Sequence, residues 1–72
     1  MKYILTETEL AIPEYKYQEE FNNLKAAQAR MTDLYKQYYQ NPAAEKAEIF
    51  ERSAVICLND GNEIHWDIDT VE

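Results

Sequence analysis

Residues 14 to 40 read EYKYQEEFNNLKAAQARMTDLYKQYYQ, and how this stretch is read decides the fold. Tyr17, Phe21, Leu24, Met31, Tyr35 and Tyr38 fall at steps of four and three, with Gln28 in the one slot that interrupts them. That spacing is a heptad seam, which predicts one long helix. Ala27 and Leu34 widen the stripe beyond a two-position seam, as a helix lying on a sheet requires. The same seam also offers a surface for self-association, with Gln28 setting register. The acids Glu14, Glu19 and Glu20 then suit the positive end of the helix dipole.

The flanking segments are short. Upstream, KYILTETEL (2 to 10) mixes β-branched, aromatic and threonine residues and reads as a strand, with the face of Ile4, Thr6, Thr8 and Leu10 inward and Glu7 and Glu9 toward solvent. Downstream, Asn41-Pro42 ends the long helix and starts a second at once, over residues 43 to 52, with Ala43, Ala47, Phe50 and Ala54 as its narrow stripe. Val55-Ile56-Cys57-Leu58, a turn at Asn59-Asp60-Gly61-Asn62 and the alternating run from Glu63 to Asp69 predict a β-hairpin over 54 to 58 and 63 to 69. A rival reading carries the second helix to Leu58 and caps it at Gly61, leaving two strands in a β-α-α-β order. The fold expected is a single small α+β domain over residues 1 to 72: strand, long helix, short helix and hairpin, with the sheet packed on the long helix.

Seventy-two residues bury little surface, so stability is marginal and an oligomer or a bound partner is expected. At 46% hydrophobic residues with six tyrosines, the chain is too apolar to be disordered throughout. The lone Cys57 excludes an internal disulfide, and no apolar run has the length of a signal or membrane segment; a cytoplasmic protein is the expectation. The net charge is −7, and it is unevenly placed. Residues 1 to 20 carry five acids and two lysines, 21 to 59 carry four acids and five bases, and 60 to 72 carry five acids and no base. This pattern argues against direct binding to nucleic acid or to an anionic membrane.

No catalytic signature is present, and no cofactor or metal is expected. A phosphate-binding loop needs several glycines, and Gly61 stands alone. Cys57 and His65 face each other on paper, but the thiol's apolar neighbours make it a small core residue. His65, Asp67 and Asp69 share a strand face that could hold a divalent ion, and equally make the solvated side of an alternating strand. If the first and last strands are neighbours, Glu7, Glu9, Asp67 and Asp69 crowd one exposed sheet surface, with Glu63 and Glu72 nearby. Such crowding destabilises the domain unless a basic partner uses it. Tyr15 and Tyr39 are the aromatics expected at the surface as anchors. The function expected is therefore a non-enzymatic module that docks an acidic face on a larger protein with a basic surface. Where that surface binds nucleic acid, the module is an inhibitor by charge mimicry. In general type it resembles the small acidic α+β inhibitors encoded by phages and other mobile elements. The alternative is a structural subunit, a homodimer or larger assembly joined through the seam.

Overall fold

A computed structural model describes residues 1–72 as a five-stranded antiparallel sheet with one helix on one face. The strands are β1 (Lys2–Glu9), β2 (Ile12–Phe21), β3 (Ala44–Ile49), β4 (Ser53–Leu58) and β5 (Glu63–Val71). The helix, α1 (Leu24–Tyr39), lies between β2 and β3 in the chain. The strand order is β2-β1-β5-β4-β3, so the first and last strands meet in the middle and α1 carries the chain from one edge of the sheet to the other. The short axis of the molecule spans 14 Å, room for one helix on one sheet.

The fold is α+β with the sheet packed on the helix, as expected, and the hairpin of β4 and β5 falls where the turn signal places it. Gly61 occupies the turn at φ +92°, a conformation that L side chains rarely adopt. Asp60 Oδ1 accepts from the Asn62 amide at 2.9 Å, and the Gly61 amide donates to the Leu58 carbonyl at 3.1 Å.

The first half of the expected long helix is instead β2. Tyr15, Tyr17, Glu19 and Phe21 alternate with Glu14, Lys16, Gln18 and Glu20, and an extended chain puts the first set on the helix-facing side. Pairing with β1 also satisfies the outer backbone groups of β1, which would otherwise be the open edge of the sheet. Glu14, Glu19 and Glu20 are consequently strand residues, and the first turn of α1 contains no acid. Asn23 caps the helix, its Oδ1 accepting from the Ala26 amide at 2.8 Å. Arg30 Nε donates to Glu19 Oε1 at 3.2 Å and ties the helix to β2.

The expected second helix is also a strand. Ala47 and Ile49 of β3 lie opposite Ile56 and Ala54, so its alternate residues extend the helix-facing surface. Ala, Glu and Lys favour helix, and here strand pairing with β4 overrides that weak preference. Asn41 Oδ1 accepts from the Ala43 amide at 2.9 Å, so Asn41-Pro42 closes a turn and starts no helix.

The seam is divided as well. Tyr17 and Phe21 belong to β2, while Leu24, Met31, Tyr35 and Tyr38 pack down on the sheet around a core of Leu5, Ala27, Met31, Ala54, Ile56, Ile64, Trp66 and Ile68. Gln28 lies at the edge of that stripe, donating to the Glu51 carbonyl at 2.9 Å. The apolar face offered for self-association is thus occupied by the chain's own sheet. No helix is long and apolar enough to cross a membrane.

Candidate functional site

The strand pairing that an acidic face requires is present: β1 lies beside β5, with Leu5 opposite Ile68, Thr6 opposite Asp67 and Glu7 opposite Trp66. Its phase is the reverse of the expected one. Leu5 and Glu7 point toward α1, Leu5 fully buried and Glu7 4% exposed, whereas Leu10 sits exposed in the β1–β2 turn. Glu9, opposite Ile64, shares the side of Glu7. Because side chains alternate, Glu7 and Glu9 cannot join Asp67 and Asp69. The reason for this phase is the apolar row of β5: Ile64, Trp66 and Ile68 are buried, and only the odd-numbered residues of β1 share their side.

The open face of the sheet keeps Asp67 and Asp69 and gains Glu20. Ile4 has Glu20 of β2 on one side and Asp69 of β5 on the other, with Asp67 two residues along. Glu63 and His65 continue the same row, with His65 Nε2 3.0 Å from Glu63 Oε1. Glu72 lies beyond the end of β5. Lys2 reaches Glu20 at 2.8 Å, an exposed pair of small energetic weight. Neither Asp67 nor Asp69 forms a salt bridge. His65, Asp67 and Asp69 are spread along the strand, and no three metal-ligating side chains converge anywhere in the fold. Cys57 is opposite Glu63 and diagonal to His65, with the imidazole engaged by Glu63.

On the other side, Glu7 anchors a buried polar cluster. Trp66 Nε1 donates to Glu7 Oε1 at 2.7 Å, and the Tyr15 hydroxyl donates to Oε2. The rings of Tyr38 and Tyr35 lie 5.6 and 6.3 Å from the Trp66 ring. A buried indole N–H needs an acceptor, and a buried carboxylate needs donors, so each answers the other's requirement. The hydrogen bond to Glu7 pushes the Tyr15 phenol up to about 12, and burial raises Tyr35 and Tyr38. These phenols hold their protons more tightly than free tyrosine, and both carboxylate oxygens are engaged, so the cluster is built to hold three strands and the helix together. Tyr15 is therefore tied into this cluster and does not stand free as an anchor, whereas Tyr39 is 60% exposed, stacked on Tyr35 at 5.8 Å.

Sequence reasoning missed Glu7 as a core residue and Glu20, read as a helix residue, as a member of the open sheet face. The available signal was the lone tryptophan: on an apolar strand face its N–H calls for an acceptor on the neighbouring strand.

Charge also divides between the two layers. Helix α1 carries Lys25, Arg30 and Lys36 against Asp33, net +2; the remaining thirteen acids and four bases leave −9 for strands and turns. A groove lined by Tyr39, Ala44, Glu45, Lys46 and Ala47 lies beside β3. The chain matches no protein-family model, no curated protein and no solved structure.

Proposed function

We propose that the protein is a small non-enzymatic binding module of the cytoplasm whose open sheet face docks on a basic surface of a larger protein. The observation that carries this reading is the segregation of charge, with a net +2 on the helix and −9 on the strands and turns, of which Glu20, Glu63, Asp67 and Asp69 lie on the open face while Glu7, Glu9 and Glu19 face the helix. Glu20 on β2 and Asp67 and Asp69 on β5 flank β1 on the open face, the two aspartates with no salt-bridge partner. Like charges held together in this way oppose folding, and a basic partner would relieve the repulsion while gaining speed and orientation of association. Where the basic surface is one that binds nucleic acid, the module inhibits by occupying it.

The test is capture from a bacterial lysate at low salt and at about 0.5 M, where screening is nearly complete within a few ångströms. Native protein is compared with the E20Q/D67N/D69N variant, which removes the cluster without touching the core. The reading predicts a partner retained at low salt, weakened at high salt and lost with the folded variant. Equal capture by native protein and variant would overturn it.

A further inference from the structure

The sheet ends in two edges, β2 and β3, and they differ. Strand β2 carries Pro13, and two of its charged groups are engaged, Glu20 with Lys2 and Glu19 with Arg30 and Tyr17, while Glu14 and Lys16 are not. Proline, charged side chains and bulges are the usual guards of an edge. Strand β3 has no proline; it has a register shift between Ala44 and Lys46, and Ile49 at its end, with Tyr39 and Phe50 beside it, are 40%, 60% and 59% exposed.

The geometry points to β3 as a self-pairing edge: two copies of this chain join antiparallel through Ala44–Ile49 about a two-fold axis at Ala47, forming one continuous ten-stranded sheet. The phase of the backbone carries the first step. The Phe50 amide donates to the Ser53 carbonyl at 2.7 Å, so the amides of Phe50, Glu48 and Lys46 point toward β4. Alternation then turns those of Ala47 and Ile49 outward. A two-fold axis at Ala47 sets the Ala47 amide of each copy against the Ala47 carbonyl of the other, and Ile49 against Glu45. The backbone groups of Ala47 and Ile49 are free to pair, and Glu45 sits in the register shift between Ala44 and Lys46, at the end of the paired stretch.

The side chains carry the second step. In this register Lys46 lies directly opposite Glu48 of the second copy, and Glu48 opposite its Lys46. Both pairs occupy the non-hydrogen-bonded positions, where opposing side chains come closest. Moving the axis by one residue either way sets Lys46 against Lys46 or Glu48 against Glu48, so one register is selected and its neighbours are penalised. Within one chain the Lys46–Glu48 pair is slack, at 3.9 Å with side chains 72% and 46% exposed, leaving both free to pair across the axis. Ala47 adds no bulk at the axis, and the pairing is isologous and closed, giving a dimer and no filament.

Sedimentation of the full chain from about 5 to about 500 µM, a range suited to a small interface, tests this. Native protein is expected to dimerise. Lys46→Glu and Glu48→Lys each turn two attractive pairs into two repulsive ones and should weaken the dimer at least about tenfold. The double swap K46E/E48K restores opposite pairing and should restore the dimer. Ala47→Pro removes an outward amide that β4 does not use and should abolish it, with circular dichroism reporting that the chain is folded. A monomer throughout, a dimer indifferent to these substitutions, or one disrupted instead by Lys16→Glu on β2 would overturn the inference. It is independent of the acidic face: the E20Q/D67N/D69N variant should dimerise like the native chain.

Discussion

Replacing Glu7 by alanine should destabilise the domain far more than replacing it by glutamine. The carboxylate is 4% exposed and accepts from Trp66 and Tyr15. Alanine leaves the indole N–H, on a fully buried ring, with no acceptor; Tyr15, half-buried, can turn its hydroxyl to water. A stranded buried donor costs roughly 1–3 kcal/mol, and the void left by the side chain adds to it. About 3 kcal/mol in all is expected, out of a stability of roughly 4–11 kcal/mol for a domain of 72 residues. Glutamine keeps a carbonyl oxygen for Trp66 and offers an N–H to the Tyr15 oxygen, so about 1 kcal/mol is expected. Urea unfolding at neutral pH followed by circular dichroism measures both. The cycle with Trp66→Phe isolates the hydrogen bond: the double substitution should lose at least about 1 kcal/mol less than the sum of the singles. Additive losses, or an E7A variant within about 0.5 kcal/mol of native, would refute the reasoning.

Three further outcomes follow from the same structure. The Tyr15 phenol titrates near 12 through its bond to Glu7, above the value of 10 for free tyrosine. Its contribution to stability is therefore fully present below pH 10 and lost as pH rises through 12; alkaline titration of tyrosinate absorbance should show Tyr15 among the late phenols with Tyr35 and Tyr38, and its step should return toward 10 in E7Q. Gly61→Ala should cost about 1 kcal/mol from the backbone alone, because φ is +92° and the added Cβ meets nothing within 4 Å; Gly61→Asn should cost less, and thermal unfolding measures both. Met31→Ala, beneath the helix at 1% exposure, should cost roughly 2–5 kcal/mol, whereas an exposed self-association surface at that position would give almost none.

Much of the sheet was legible in the residues, and the places where it was not are instructive. The hairpin of β4 and β5 announces itself through β-branched residues, Asp60-Gly61 and a clean alternation. Strand β2 alternates equally well, with aromatic residues at 15, 17 and 21, but the same Tyr17 and Phe21 also continue the four-and-three spacing of α1. Two periods fit one segment, and only the pairing partner on β1 decides between them. Strand β3 reads AEKAEI, a sequence of helix formers, and becomes a strand because β4 needs a partner. In the candidate site, the adjacency of β1 and β5 entered the sequence reading only as a condition, and the face of β1 was read in the opposite phase. A one-residue change of phase inverts every side chain, and the phase that faces the buried row of β5 puts Glu7 inside, where the Trp66 N–H meets it.

The acidic sheet face is tested most directly by nuclear magnetic resonance of the labelled chain as a short poly-lysine, a basic probe of known charge, is added at low salt. Amide shifts are expected to concentrate on β5 from Glu63 to Asp69 and on the neighbouring residues of β1 and β2, to reverse on adding salt, and to vanish in E20Q/D67N/D69N. Shifts centred on α1, or an unchanged response in that variant, would contradict the account.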